Sequence, residues 1–134
     1  MDRGDRRDRA HRRWTVSNYV NGVIPGAVIG HYPAPHGGLF FLDVSFGLAL
    51  VAYSEELIFR RCGRHVFAAI LGEGWAMVVA TAVLFAAYHW WTGIGNIVTA
   101  LLFGLLAMLF YRRAGALAPI VAAHYLCDVM LAVS

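Results

Sequence analysis

Long apolar stretches alternate along this chain with short clusters rich in Gly, Pro, Arg and Glu. A helix needs about 20 mostly apolar residues to cross the hydrocarbon core of a bilayer. This criterion selects five segments, of which the first is the least apolar. They are Thr15 to Tyr32, a second segment that starts near Leu39, Trp75 to His89, Asn96 to Tyr111, and Ala116 to Val133. The pattern predicts an all-α, polytopic transmembrane helical bundle with about five spans.

The end of the second segment can be read in two ways. If the helix stops at Arg60–Arg61, Glu55 and His89 differ in depth by about 25 Å. If it continues to a turn at 72–74, Glu55 lies 18 residues before Glu73 and His89 lies 16 residues after it. At 1.5 Å per residue, an antiparallel hairpin then places both side chains within about 3 Å of the same level. We favour this second reading, with one long helix.

Composition and charge support a membrane protein. The chain has 134 residues, 60% hydrophobic and only 14% charged. Residues 1–14 contain six of the 11 arginines, and no lysine occurs. We expect residues 1–14 to form a basic cytoplasmic tail and residues 15–134 a single membrane-embedded domain. The expected location is the prokaryotic plasma membrane, with the lipid bilayer as a partner. No basic stripe recurs in the folded part, so nucleic-acid binding is not expected.

Five ionisable side chains stand out within the predicted spans. An ionised acid at the centre of a bilayer costs about 2.5–3.5 kcal/mol, so it persists where a partner compensates it or where chemistry uses it. Five ionisable residues are therefore the candidates for a functional site. They are Glu55, Glu56, His89, His124 and Asp128.

The two adjacent glutamates have different surroundings on a helix. Glu56 and Arg60 are spaced i, i+4 with the acid first, which is the favoured order for an ion pair. Glu55 lies about 100° around the helix and lacks that partner. Glu55 is thus the candidate general base. Glu56 and Arg60 are the candidate supporting pair, although they could also be a purely structural ion pair.

The histidines supply the other candidate groups. His124 and Asp128 share a helix face, so Asp128 could orient the ring of His124 or help to build an oxyanion site. Glu55, His89 and His124 could activate water directly or hold Zn²⁺ as a His₂Glu site. A single histidine in an apolar segment is more often a packed core residue. The prediction of a site therefore depends on all five ionisable residues occurring together in the predicted spans.

Two further features set expectations. Cys62 and Cys127 form no CxxC pattern and are predicted to be small buried residues without a disulfide. Gly104 and the small residues near it suit close helix packing.

Signatures of the serine, aspartyl and common zinc membrane proteases (GxSG, GxGD and HExxH) do not occur in the chain.

Three motifs resemble those of a known family. Glu55-Glu56-x-x-x-Arg60 resembles the EExxxR motif of the CPBP family, the CAAX-protease-and-bacteriocin-processing or Abi intramembrane proteases. Phe85-x-x-x-His89 is similar to the family's FxxxH motif, and His124-x-x-x-Asp128 to its HxxxN/D motif. The resemblance covers about Leu39 to Val133. The chain is shorter than most relatives, and Arg61 stands where many of them have Gly.

The resemblance implies roles for these residues. Glu55 would activate water with help from His89, and His124 and Asp128 would stabilise an oxyanion. Glu56 and Arg60 would shape the site. The partner would be a membrane-anchored protein or peptide substrate, cut near a prenylated C-terminus, a leader peptide or a C-terminal sorting tag.

The resulting hypothesis is an intramembrane endopeptidase that uses a Glu-activated water and requires no cofactor. The first alternative is a zinc peptidase with Glu55, His89 and His124 as metal ligands. The second is a non-catalytic membrane protein of the same family that binds a partner, as in bacteriocin immunity. A transporter with a carboxylate proton relay is less favoured, because no inverted repeat is apparent.

Overall fold

The computed structural model describes residues 16–24 and 35–133. Within them the chain forms helices joined by short turns, with no β-strand, which confirms the predicted all-α class. A 3₁₀ turn at Trp90–Thr92 links the third and fourth helices. The helices are α1 (Val16–Val23), α2 (Gly38–Leu71), α3 (Trp75–Tyr88), α4 (Ile94–Ala114) and α5 (Ala118–Ala132).

Two of these helices, α2 and α4, are long and apolar enough to cross a membrane. The apolar helices α3 and α5 are shorter, with 14 and 15 residues. The expected number of about five spans therefore stays a prediction. The basic tail at 1–14 lies outside the described residues, as does most of the second half of the first apolar segment.

α2 is one continuous helix of 34 residues, so it does not end at the Arg60–Arg61 pair. Two stretches of it, Asp43–Gly47 and Leu57–Gly63, have π-helical hydrogen bonding. The helix ends at Gly72, whose φ of 76° is rarely open to residues with a side chain. α3 begins at Trp75, which confirms the long hairpin that the second reading predicted.

The core lies where α2, α3 and α4 meet. One cluster joins Phe59 of α2 to Phe85 of α3 and Ala100 of α4. α3 and α4 approach closely at Gly104, where a Cβ atom would come within 3.2 Å of the Ala82 Cα atom. The close packing expected around Gly104 is thus confirmed. This contact fixes α3, and with it the position of its C-terminal end, against α4.

α5 returns along the Leu48–Glu56 part of α2. Its direction is set where α4 ends, because Gly115 adopts the left-handed conformation with a φ of 65°. Pro119 lies in the first turn of α5, where its missing N–H breaks no helical hydrogen bond. The polar face of α5 thereby comes to lie over the middle of α2.

Many large apolar side chains face outward from the described helices. Leu50, Ile70 and Leu106 are 68%, 71% and 69% exposed. Apolar surface of this extent is unusual for a soluble monomer and suits contact with lipid chains. Cys62 and Cys127 are also exposed and free, so the expectation that they are buried is wrong.

Candidate functional site

Three helices bring four of the ionisable side chains together. Glu55 comes from the middle of α2, His89 from the end of α3, and His124 and Asp128 from α5. Glu55 Oε2 lies 3.9 Å from His89 Nε2 and 3.8 Å from His124 Nε2. Asp128 Oδ2 lies 3.7 Å from His124 Nε2. The shared level predicted for Glu55 and His89 is therefore confirmed.

Glu55 is buried, but its Oε2 atom makes no direct hydrogen bond to a described residue. Its side chain is 12% exposed. The separations to the two histidine rings exceed the range of direct hydrogen bonds, which ends near 3.2 Å. Polar groups at such distances commonly share a bridging water molecule.

Glu56 is the carboxylate with direct partners. Its side chain is completely buried, and Glu56 Oε2 lies 2.8 Å from Arg60 Nε, an ion pair that the i, i+4 spacing predicted. Glu56 Oε1 accepts hydrogen bonds from Arg60 Nη2 at 3.2 Å and from His124 Nδ1 at 2.9 Å. Arg60 is also completely buried. The two adjacent glutamates thus differ, because Glu56 has a paired cation and two hydrogen bonds to its Oε1 atom, and Glu55 Oε2 has no direct partner among the described residues.

The partner of His124 differs from the one considered on sequence spacing. Asp128 shares a helix face with His124, but its carboxylate is 3.7 Å away, whereas Glu56 lies at hydrogen-bond distance. Glu56 is 68 residues distant in the chain and belongs to another helix. Glu56 therefore orients the ring of His124, and Asp128 flanks its other nitrogen.

The hydrogen bonds also determine which ring nitrogens face Glu55. His89 Nδ1 lies 2.9 Å from the carbonyl oxygen of Phe85, which can only accept, so Nδ1 carries a proton. In a neutral ring His89 Nε2 is then a free acceptor. His124 Nδ1 likewise donates to Glu56, which leaves its Nε2 atom facing Glu55 and Asp128.

Two phenylalanines enclose the ionic residues. The Arg60 guanidinium carbon lies 4.9 Å from the Phe85 ring centre and 6.0 Å from that of Phe103. The His124 ring lies 5.8 Å and 5.0 Å from the same two rings. These faces attract the cation and keep water away from it. The sequence did not predict Phe103 as a residue of the site, because nothing distinguishes one aromatic residue from the others within an apolar helix.

The metal alternative stays a prediction. Among the described residues, no group of three or more His, Cys, Asp or Glu side chains is placed to hold a metal ion. Glu55, His89 and His124 nevertheless face one another, with the carboxylate 3.8–3.9 Å from the ring nitrogens. The donors are of the right kind for zinc, and these separations are about 0.5 Å wider than those between ligand atoms of a tetrahedral site.

A wide-open apolar cavity of about 440 Å³ lies between α2 and α5, and none of the six candidate site residues lines it. Tyr53 of α2, two residues before Glu55, lines it together with Val121 and Tyr125 of α5, which flank His124 in the chain. The wall is almost entirely apolar, so the cavity suits an aliphatic or aromatic group and not a charged one.

The part of the chain that forms this site also matches a known protein family. Residues 36–130, which contain all six of the candidate site residues, match the family model described as type II CAAX prenyl endopeptidase Rce1-like. No curated protein and no solved structure matches the chain.

Proposed function

The chain belongs to the Rce1-like family of type II CAAX prenyl endopeptidases, and we propose that it hydrolyses a peptide bond of a membrane-associated protein or peptide with a water molecule activated by Glu55. The family is one of membrane peptidases, and the two long apolar helices fit that setting. One observation carries the proposal. Glu55 faces two histidine rings without a direct hydrogen bond to either, while Glu56 pairs with Arg60 and accepts a hydrogen bond from His124.

The first step is the activation of water. A water molecule between α2 and α3 would donate one hydrogen bond to Glu55 Oε2 and the other to His89 Nε2, which lie 3.9 Å apart. Glu55 accepts a proton as the water oxygen attacks the substrate carbonyl carbon, and it then delivers that proton to the leaving amine. His89 holds the water in place, since its Nδ1 proton is committed to the Phe85 carbonyl.

The second requirement is a donor for the oxyanion. A doubly protonated His124 can donate from Nδ1 to Glu56 and from Nε2 to the oxygen that becomes negative. Glu56 accepts from Nδ1, and Asp128, 3.7 Å from Nε2, lies beside the place of that oxygen. Arg60 in turn balances the charge of Glu56 inside the apolar core.

One feature of the surface bears on the substrate class. The open apolar cavity between α2 and α5 would accommodate an apolar part of the substrate, at a distance from the reacting peptide bond. This feature supports a membrane-anchored substrate, with a prenylated C-terminus, a leader peptide or a C-terminal sorting tag as the three types to be compared.

The test is cleavage by purified protein of one membrane-anchored peptide of each type. We expect Glu55→Gln and Glu55→Ala to lower kcat by about 10²- to 10⁴-fold, the range for loss of a general base. Ser54→Ala is the matched control, because Ser54 adjoins Glu55 but is exposed and bonds only to the backbone oxygen of Val51. Full activity in both Glu55 variants would exclude the mechanism.

A second pair of variants tests the part of His89. His89→Gln should lower kcat with little change in the temperature of unfolding, since the ring is partly exposed and bonds to one backbone carbonyl. His65→Gln, at an exposed position of α2, should behave as wild type.

The proposal of a peptidase would be wrong if the wild-type protein cut no peptide while a cellular phenotype survived Glu55→Ala. The protein would then have a non-catalytic, partner-binding role.

A further inference from the structure

Arginines gather around the turn between α2 and α3. Three of the five arginines in the described ranges belong to this group; Arg60 is buried in the site, and Arg61 follows it in α2. Glu73, at the turn itself, is the acidic residue that the described contacts place among them. We call this group the arginine cluster; it consists of Arg64, Arg112 and Arg113.

Two members of the cluster converge on one residue from different helices. Arg64 of α2 places Nη2 3.1 Å from both carboxylate oxygens of Glu73. Arg112 at the end of α4 donates to the backbone oxygen of Glu73 at 2.8 Å. The Arg64 guanidinium carbon also lies 5.8 Å from the Tyr111 ring centre. The guanidinium groups of Arg64 and Arg112 are thus held near one another at the turn.

The cluster keeps most of its charge and hydrogen-bonding capacity. Three arginines against one glutamate leave a formal charge of 3 − 1 = +2 in this region. Arg112 and Arg113 are exposed, and the described hydrogen bond of Arg112 goes to a carbonyl oxygen. A guanidinium presents five N–H donors in a fork that matches the oxygens of a phosphate.

Apolar side chains lie directly beside this charge. Ile70 and Trp75, on either side of the turn, are 71% and 67% exposed. A surface that combines free guanidinium groups with exposed aliphatic and indole side chains matches the boundary between lipid headgroups and acyl chains. A soluble acidic partner would account for the arginines but would leave these apolar side chains unexplained.

We propose that the arginine cluster binds the headgroup phosphate of an anionic phospholipid, with Ile70 and Trp75 in contact with its acyl chains. The site is separate from the peptidase site and does not depend on the proposed function. Its position has a consequence, because the α2–α3 turn joins the helix that carries Glu55 to the helix that ends at His89. A bound headgroup would brace the hairpin on which both residues lie.

Trp75 provides the measurement. The full chain in mixed micelles is titrated with phosphatidylglycerol brominated near the head of its acyl chains, and with phosphatidylcholine brominated at the same positions. The chain has four tryptophans, so the fluorescence quenching of Trp75 is obtained as the difference between the wild-type protein and Trp75→Phe. We expect stronger quenching by phosphatidylglycerol, and about fivefold weaker apparent affinity for each arginine replaced by glutamine. The preference should also diminish as salt is added.

The choice of variants separates binding from folding. Arg113→Gln disturbs none of the described contacts to Glu73, so it tests charge alone. Glu73→Gln removes the one negative charge and should tighten phosphatidylglycerol binding, the opposite sign to the arginine variants. Equal quenching by the two lipids, unchanged affinity in the arginine variants, or weaker binding in Glu73→Gln would overturn the proposal. Displacement of the lipid by millimolar inorganic phosphate would instead identify a free-phosphate site.

Discussion

His124 Nδ1 lies 2.9 Å from Glu56 Oε1, across the contact between α5 and α2. Through Glu56 the ring is connected to Arg60, whose Nε atom lies 2.8 Å from the other carboxylate oxygen. All three side chains are buried, so the chain of hydrogen bonds is protected from competition by water. Residues of the first and third sequence motifs thus form one unit that sets the orientation of His124.

Glu56→Gln should reduce both stability and activity. Removing the charge leaves Arg60 buried without a counterion, and breaking a buried ion pair in this way costs about 3–5 kcal/mol. The neutral amide oxygen is also a weaker acceptor for His124 Nδ1, so the His124 Nε2 atom is held less firmly toward Glu55. The free energy of unfolding, measured by denaturation in detergent, and the rate of peptide cleavage should both fall.

The double variant Glu56→Leu/Arg60→Met separates these two effects. Replacing a buried ion pair by apolar residues of similar volume is often neutral for stability. We expect unfolding to return close to the wild-type value while cleavage remains impaired, because the acceptor for His124 is absent. Recovery of both properties together would mean that Glu56 acts only on the fold.

Asp128→Asn should retain much of the activity, whereas Asp128→Leu should not. Asp128 Oδ2 lies 3.7 Å from His124 Nε2, a position from which a protonated carboxyl or an amide can donate to an oxyanion. Loss of one oxyanion donor costs about 10²- to 10³-fold in kcat. Steady-state kinetics of both variants give the comparison. Equal loss in the two would show that the negative charge, and not a hydrogen-bonding group, is what the reaction needs.

Gly104→Val should destabilise the protein and impair cleavage together. The added side chain would meet Ala82 at 3.2 Å and Phe85 at 3.3 Å, so α4 would push α3 away and shift His89 with it. Overpacking of this kind costs about 1–3 kcal/mol. Gly22→Ala is the matched control in the same assays of unfolding and cleavage, since nothing lies within 4 Å of a Cβ atom there.

Chelation should leave cleavage unchanged. The histidine and carboxylate donors of the site are not arranged as a metal group in the described part of the chain. The measurement is activity after treatment with 1,10-phenanthroline, together with the metal content of the purified protein. Loss of activity that returns on addition of Zn²⁺ would favour the zinc mechanism with Glu55, His89 and His124 as ligands.

The sequence by itself determined the local features of this protein. Apolar stretches and their breaks predicted the helices, and the residue count to Gly72 predicted the hairpin that places Glu55 beside His89. The i, i+4 spacing predicted the ion pair between Glu56 and Arg60. Each of these depends on helix geometry within a short stretch of chain, which the order of residues dictates directly.

Only the tertiary structure decided how α5 and α4 meet the hairpin. The bond from His124 to Glu56 joins residues 68 positions apart, and helical spacing had suggested Asp128 as the partner of His124 instead. The rings of Phe85 and Phe103 around Arg60 likewise depend on how α3 and α4 pack at Gly104. The angle and depth at which two helices cross are set by side-chain packing along their whole contact, which no local pattern encodes.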